Sequence, residues 1–515
     1  MSDNDVETSK PPNWRKTAGF WIGCILFLLI LLGPTPEGMP SVAKYTAATV
    51  LLMSFWWIGE SIPLGVTALV PLVAFPLLKI MPYNEVAPNY TNHFVFLLLG
   101  GFFIALSMQR WNLHTRIALW IISLAGVSAP RLVLGFMVAS AFLSMWISNS
   151  ATSMMMMPIG LGLIMKAEEL QGGKNASTVT NFGACMMLGI AYASNIGGVG
   201  TLVGTFPNLV FAGIFETQFP DAAAITFIEW MKVGLPFALL YVPLIWILMV
   251  KWVLPIKGQI LENADAVIRK EKEKLGTMKR GEAMVLGVFV VTAILWIFRS
   301  DINLGSIVIP GWAGILGVGK YVHDSTVAMA MGILCFILPV DRKKGINLLE
   351  WKNTRQMPWG ILLLFGGGFA IADGFVKSGL TEWVGGRLAG LQHVPLPILI
   401  ASTVLIMALL TEVTSNTAST QMLLPILAAT AEALHVNALL LMLPATIAAS
   451  CAFMLPISTP PNAIVFASGR VNLVKMARTG FLLVLITVLF LTAFMYFWVV
   501  PVWNISLTGP AVWMH

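Results

Sequence analysis

The sequence predicts an all-α polytopic membrane protein, and three observations support this fold class. Apolar residues make up 57% of the 515 residues and charged residues 11%, with a mean hydropathy of +0.83. Apolar segments long enough to cross a bilayer recur from one end to the other. Two short polar runs, residues 148–153 and 414–420, interrupt very apolar stretches. Such a composition excludes an ordinary soluble globular protein.

The two polar runs belong to an internal repeat of about sixty residues. Ser148-Asn149-Ser150 and Ser415-Asn416-Thr417 lie 267 residues apart. The same offset relates Gly100-Gly101-Phe102 to Gly367-Gly368-Phe369. We therefore expect two related halves, each of which contributes one polar turn to a shared site.

Eleven membrane spans and two re-entrant hairpins are expected. Each hairpin has arms of about sixteen residues, which are short for two full spans, and glycine and proline interrupt two of the spans. The first half has spans at 17–34, 45–60, 64–82 and 93–109, a surface connector at 110–131, a hairpin at 132–165, a broken span at 178–215 and a span at 230–252. The second half has spans at 283–300, 322–340 and 358–376, a connector at 378–393, a hairpin at 396–435, a broken span at 438–469 and a span at 476–500.

The distribution of basic residues sets the expected orientation. With the N-terminus in the cytoplasm and the C-terminus outside, cytoplasmic segments hold 24 of the 31 Lys and Arg, among them the tail 1–16 and the charged loop 256–282. This is the positive-inside bias of membrane proteins. Each repeat then has five crossings, and an odd number gives the halves opposite orientations, as in the inverted repeats of secondary transporters.

Several other classes of function are disfavoured by the same sequence. The net charge of +7 comes from loop residues without interleaved aromatics, so it is a topology signal and predicts no nucleic-acid partner. The four cysteines lie in apolar segments without paired spacing, which argues against a disulfide framework or a zinc site. No compact acid/base or nucleophile constellation is present, so an enzyme is not expected.

Small polar residues in membrane helices more often serve helix packing than ligand binding, and each run must be weighed against that role. Two clustered runs with an asparagine beside hydroxyls favour a binding site, because unsatisfied polar groups at bilayer depth cost several kcal/mol. A bound ion or a polar substrate can satisfy them.

Sodium takes oxygen ligands, as other hard cations do. The expected donors are hydroxyl groups, amide oxygens and carbonyl oxygens freed at the two helix breaks. They are Ser144, Ser148 and Thr411, then Asn149 and Asn416, and then Gly197 and Ser458. Residues four apart, such as Ser144 with Ser148 or Thr411 with Ser415, are expected on one helix face. For each hydroxyl taken alone, a bond to its own helix is the competing interpretation.

The polar runs contain no Lys, Arg or His, so an anionic substrate would be held by helix N-termini, side-chain donors and the neighbouring cations. Carboxylates are also absent from the runs, which suits a co-bound dianion. Glu412 adjoins Thr411 but lies about 100° around the helix from it. A structural or water-facing role is expected for Glu412.

The paired Ser-Asn-Ser and Ser-Asn-Thr motifs, together with Thr459-Pro460-Pro461-Asn462 after a broken helix, resemble the divalent anion/sodium symporter family. The resemblance covers nearly the whole chain. It implies an elevator-type ion-transporter fold and a homodimer that carries C4-dicarboxylates such as succinate, malate or fumarate with sodium as the coupling ion.

The resemblance also implies roles for individual residues. The first sodium site would use Ser144, Ser148, Asn149 and Gly197, and the second Thr411, Thr414, Asn416 and Ser458. The substrate would meet Asn149, Ser150, Gly198, Asn416, Thr417, Thr459 and Pro460. Ser150 stands where the family usually has threonine, so the hydroxyl is kept and a methyl group is lost.

The resemblance further divides the chain into a scaffold and a mobile transport domain. The scaffold would comprise residues 1–128 and 256–392, and the transport domain residues 129–255 and 393–515. Other functions remain open: a sodium-independent dicarboxylate exchanger, a symporter of citrate or sulfate, and a channel. Replacing sodium by choline in uptake assays, competition against labelled succinate, and single-channel recording would separate these alternatives.

Overall fold

A computed structural model describes residues 13–171, 176–256, 264–303, 308–507, 509 and 511. These residues are mainly helical. Most of the expected polar tail, part of the charged loop 256–282 and the end of the C-terminal segment fall outside the described residues.

The first half of the chain contributes twelve described helices. They are α1 (Asn13–Leu32), α2 (Ser41–Gly59), α3 (Leu64–Thr67), α4 (Val70–Leu77), α5 (Tyr83–Val86), α6 (His93–Arg110), α7 (Leu113–Leu124), α8 (Ala129–Ser144), α9 (Asn149–Gln171), α10 (Ala176–Val199), α11 (Phe206–Gln218) and α12 (Phe227–Leu248).

The second half contributes twelve more. They are α13 (Ala264–Leu275), α14 (Arg280–Ile297), α15 (Trp312–Ile315), α16 (Asp324–Ile337), α17 (Trp359–Lys377), α18 (Leu380–Leu388), α19 (Leu396–Val413), α20 (Asn416–Ala433), α21 (Leu439–Ala449), α22 (Pro460–Ala467), α23 (Leu473–Phe494) and α24 (Val500–Val502).

Short segments connect these helices. Three 3₁₀ turns cover Ala87–Thr91, Trp351–Gln356 and Ala389–His393, and π-helical turns cover Met249–Val253 and Met495–Val499. Two small antiparallel pairs join β1 (Ile302–Asn303) to β2 (Val308–Ile309) and β3 (Pro339–Asp341) to β4 (Ile346–Asn347).

In the described part of the chain, eight helices are long and apolar enough to cross a membrane. One expected span, 64–82, is instead split into α3 and α4. Pro71 explains the break, because it has no N–H to donate to the carbonyl of Thr67 and its ring crowds the preceding turn. The segment expected at 322–340 forms the 14-residue helix α16, which ends before Pro339.

The order of helices in α6–α12 recurs in α17–α23, as the repeated sequence predicts. The repeated glycines mark close helix contacts in both halves. A Cβ at Gly100 would lie 2.4 Å from the backbone of Ala328, and one at Gly367 would lie 2.5 Å from the carbonyl oxygen of Ala68. Small residues allow such close approach between apolar helices.

The two halves interlock in the core instead of packing side by side. Helix α11 of the first half packs against α20 of the second, and α22 of the second half packs against α9 of the first. Each broken helix therefore contacts the hairpin of the opposite half. This exchange brings the polar turns and the helix breaks into one region.

Away from that region, a buried ion pair ties three helix ends together. Arg299, after α14, and Asp324, the first residue of α16, are 7% and 0% exposed and form an ion pair. The second carboxylate oxygen of Asp324 accepts the Phe227 amide at the start of α12, at 2.8 Å. Arg299 also donates to the carbonyl oxygen of Val322 at 3.1 Å.

We predict that Asp324→Ala destabilises the protein by about 3–5 kcal/mol, because it leaves the buried guanidinium of Arg299 without a counter-charge. Thermal unfolding in detergent measures the effect. The control is Glu169→Ala, which removes an exposed pair with Lys166 and should change stability by about 1 kcal/mol or less. Equal effects of the two substitutions would contradict a structural role for the buried pair.

Candidate binding site

A cavity of about 700 Å³ lies where the polar turns and the helix breaks meet. The N-termini of four helices, α9, α11, α20 and α22, reach its wall. Trp146, Phe102 and Phe206 contribute apolar surface. A helix N-terminus carries a partial positive charge and free N–H groups, so four of them around one cavity favour an anion.

The tip of each hairpin is closed by the same hydrogen bond. In the first half, Ser144 Oγ donates to Asn149 Oδ1 at 2.5 Å. In the second half, Thr411 Oγ1 donates to Asn416 Oδ1 at 2.6 Å. Both pairs are related by the 267-residue offset, and in each an amide oxygen lies beside a hydroxyl oxygen.

The expectation that Ser144 and Ser148 share a helix face is wrong, as is the same expectation for Thr411 and Ser415. Helices α8 and α19 end at Ser144 and Val413, and the later serine of each pair precedes the next helix. Ser148 instead caps α9, since its Oγ accepts the Ala151 amide at 3.3 Å. The chain turns between the two arms and places Asn149 and Asn416 at the first position of their helices.

One helix break lies between α10 and α11 and the other between α21 and α22. An asparagine that follows a proline bridges each break, in Pro207-Asn208 and in Pro461-Asn462. Asn208 Nδ2 donates to the carbonyl oxygens of Gly198 and Thr201 at 3.1 and 2.7 Å. Asn462 Nδ2 donates to those of Ala452 and Leu455 at 3.1 and 3.2 Å. The accepting residues correspond at an offset of 254 residues, the same offset that relates Asn208 to Asn462. No role was expected from the sequence for Asn208 or Asn462.

Glu412 holds the second break and is 3% exposed, so the water-facing alternative is wrong and the structural one is confirmed. Its Oε1 accepts the amides of Phe453 and Met454 at 2.6 and 2.8 Å, and its Oε2 accepts the amide of Leu455 at 3.1 Å. These are backbone groups that the break leaves without helical partners.

The residues expected to meet substrate fall mainly on the cavity wall. Gly198 lies behind it, where an added Cβ would come within 2.8 Å of Asn149 Oδ1. Of the expected ion ligands, Ser144 and Thr411 are fully buried behind the same wall. The wall residues among the expected set are Ser148, Asn149, Ser150, Thr414, Asn416, Thr417, Ser458, Thr459 and Pro460.

Three further residues of the expected ion-ligand set also have hydrogen-bond partners. The Gly197 carbonyl is not freed by the break, because helix α10 continues to Val199 and the Gly200 amide donates to this carbonyl at 2.9 Å. Thr414, the residue that follows α19, donates from Oγ1 to the carbonyl oxygen of Leu410 at 2.9 Å. At Ser458 the expected donor was the backbone carbonyl; the hydroxyl of the same residue donates to the carbonyl oxygen of Leu455 at 2.6 Å. Each of these oxygens keeps a lone pair, so the donor set still fits a cation that accepts neutral oxygens.

Hydrogen bonds from α10 join the first half to the second. Asn195 Nδ2 donates to Thr459 Oγ1 at 3.1 Å, and the Tyr192 hydroxyl donates to the Phe453 carbonyl at 2.8 Å. Asn195 and Tyr192 are fully buried, and Asn195 also borders the cavity. Neither residue was expected from the sequence.

The fold is shared with known membrane transporters. The YdaH transporter of Alcanivorax borkumensis matches with a TM-score of 0.56 at 15% identity, over 89% of this chain and 99% of that one. MtrF of Neisseria gonorrhoeae matches with a TM-score of 0.55 at 12% identity, over 92% and 97%. At these identities the likeness concerns the fold alone.

The chain belongs to the sodium:sulfate symporter family, whose transmembrane-region model matches residues 15–504. It is 40% identical over 513 residues to the sodium-dependent dicarboxylate transporter SdcS of Staphylococcus saprophyticus, covering 99% of this chain and 96% of that protein. SdcS of Staphylococcus aureus strain MRSA252 is 40% identical over 503 residues, covering 97% and 94%. The resemblance to divalent anion/sodium symporters is thus confirmed, and the family is one of transporters and not of enzymes.

We predict that Glu412→Ala lowers both thermal stability and sodium affinity, because three N–H groups at the break, one buried and two half-buried, lose their acceptor. A buried group left unsatisfied in this way costs about 1–3 kcal/mol. Glu412→Gln should fall between Ala and wild type, since an amide retains one acceptor oxygen. Unfolding curves at increasing sodium concentration measure both effects. Glu229→Ala, which removes a half-exposed pair with Lys232, is the control. An Ala variant with unchanged stability would show that the break is held by other contacts.

Proposed function

We propose that this protein is a sodium-coupled secondary active symporter of C4-dicarboxylates, such as succinate, malate and fumarate, in the cell membrane. The observation that supports this proposal most directly is the cavity where four helix N-termini meet two hydroxyl–amide pairs. The names of the 40% identical relatives, which align with nearly the whole chain, point to the same cargo and ion.

The chemistry of the site fits a dianion held together with cations. Helix N-termini and the amide groups of Asn149 and Asn416 donate to carboxylate oxygens. The oxygens of Ser144, Thr411 and the same two asparagines are suited to sodium. Sodium neutralises part of the substrate charge, so binding of cation and anion is mutually favourable. Where a net positive charge moves inward, a membrane potential adds about 2.3 kcal/mol per charge per 100 mV.

For the architecture, we propose eleven crossings and two re-entrant hairpins in an inverted repeat, with the N-terminus cytoplasmic and the C-terminus outside. Residues 129–255 and 393–515 would move as a transport domain against a scaffold of residues 1–128 and 256–392 in a homodimer. The interlocked contacts of α11 with α20 and of α22 with α9 support one moving body made from both halves.

Sulfate is a second candidate cargo, because the family to which the chain belongs is named for sodium:sulfate symporters. A tetrahedral dianion also suits helix N-termini. Competition against labelled succinate by unlabelled sulfate, citrate, malate and fumarate ranks the cargoes. Inhibition by sulfate alone would replace dicarboxylate by sulfate, and uptake that persists with choline in place of sodium would replace symport by exchange.

We predict that Asn149→Ala and Asn416→Ala each reduce sodium-dependent succinate uptake into proteoliposomes by more than about tenfold, which corresponds to about 1.4 kcal/mol. Each substitution removes an amide that meets both ion and substrate. Asn84→Ala, at an exposed position of α5, is the matched control and should transport as wild type. Normal uptake by both hairpin variants would remove the proposed site.

A further inference from the structure

The wall of the cavity carries more positive than negative charge. Of the described residues that line it, only Arg15, Lys16 and Glu60 are charged. All three belong to the first helix pair: Arg15 and Lys16 lie in α1, and Glu60 follows the last residue of α2. The two hairpin tips contribute none. The formal charge around the cavity is therefore set by residues distant in sequence from both polar runs.

The guanidinium of Arg15 joins the ends of two helices. Its Nε and Nη2 donate to the carbonyl oxygen of Ile58, in the last turn of α2, at 3.2 and 2.6 Å. Its Nη2 also donates to the carbonyl oxygen of Val413, the last residue of α19. Arg15 thus caps two helix C-termini, whose last carbonyls lack helical partners.

Uncapped helix C-termini would oppose the binding of a dianion nearby. Each carries a partial negative charge equivalent to about half an elementary charge. Glu60 adds a full negative charge next to α2. Its backbone is fixed there in the left-handed conformation (φ 49°), with its N–H bonded to Trp57 at 3.2 Å. The guanidinium offsets the two partial charges, and Lys16 supplies a second cation on the same wall.

The guanidinium is close enough to act on cargo at the second polar turn. Val413, to which it is bonded, precedes Asn416 by three residues. Three residues span at most about 11 Å even when fully extended. A unit charge acting on a dianion over about 10 Å in a partly aqueous cavity changes its affinity by about threefold to tenfold at low salt.

We propose that Arg15 raises the affinity of the cavity for dianionic cargo: it neutralises the C-termini of α2 and α19 at the cavity and, with Lys16, makes the wall attractive to two negative charges. Glu60 opposes this effect. The inference rests on the proposed transport of dicarboxylates and extends it to a group outside the polar motifs. Arg15 acts by long-range attraction here, and no direct contact with substrate is required of it.

The test is succinate binding to the purified full-length protein, by calorimetry, at constant sodium and at low and high ionic strength set with choline chloride. Arg15→Gln should weaken binding about threefold to tenfold at low ionic strength, and Lys16→Gln about twofold to fivefold. Glu60→Gln should tighten binding about twofold to fivefold. All three differences should shrink at high ionic strength. Arg15→Lys should restore most of the affinity, because it keeps the charge.

Different failures have different meanings. Wild-type affinity in both Lys16→Gln and Glu60→Gln, or effects that ignore ionic strength, would overturn the electrostatic role. An Arg15→Lys variant as weak as Arg15→Gln would also overturn it, and would leave helix capping as the residue's role. A wild-type protein that binds no dicarboxylate in sodium would overturn the proposed function itself, whatever the variants do.

Discussion

The structure depends on satisfying the backbone at two helix breaks inside an apolar protein. An unpaired N–H or C=O at that depth costs several kcal/mol, and a broken helix exposes several at once. Here the amides of Asn208 and Asn462 bridge the two breaks, and the carboxylate of Glu412 accepts three N–H groups at the second. Only with those groups satisfied can the next helices, α11 and α22, present their N-termini to the cavity.

The two hairpin tips offer only neutral polar groups to the cavity, and in the function we propose this favours coupled binding of cation and anion. Fixed cations at the tips would bind an anion without sodium, and fixed carboxylates would bind sodium without an anion. Hydroxyl and amide oxygens with helix N-termini do neither strongly, so each ligand improves the site for the other. The charged residues of the cavity wall, Arg15, Lys16 and Glu60, lie in or next to the first helix pair, and we propose for them only a long-range effect.

The repeat made part of this arrangement predictable, since the 267-residue offset relates the two hairpin tips in the sequence. The three-dimensional partners were not predictable in the same way. The carboxylate of Glu412 accepts a hydrogen bond at the second helix break from Phe453, which lies 41 residues later in the sequence. The donors there are backbone N–H groups, which have no sequence signature. The split between α3 and α4 could have been anticipated from Pro71, because its missing N–H is a local property. The polar turn was expected, but the shared helix face of Ser144 and Ser148 was wrong, because that expectation continued the helix past Ser144, where α8 ends.

The hydrogen bonds that α10 donates to the second half of the chain constrain how substrate could be released. Tyr192 and Asn195 are fully buried and attach the first broken helix to Phe453 and Thr459. Separating the two walls of the cavity would break these hydrogen bonds and leave polar atoms unpaired in an apolar interior. In the movement that we propose for residues 129–255 and 393–515, the cavity therefore travels as a single rigid body, and release comes from a change in what surrounds it while its own walls stay joined.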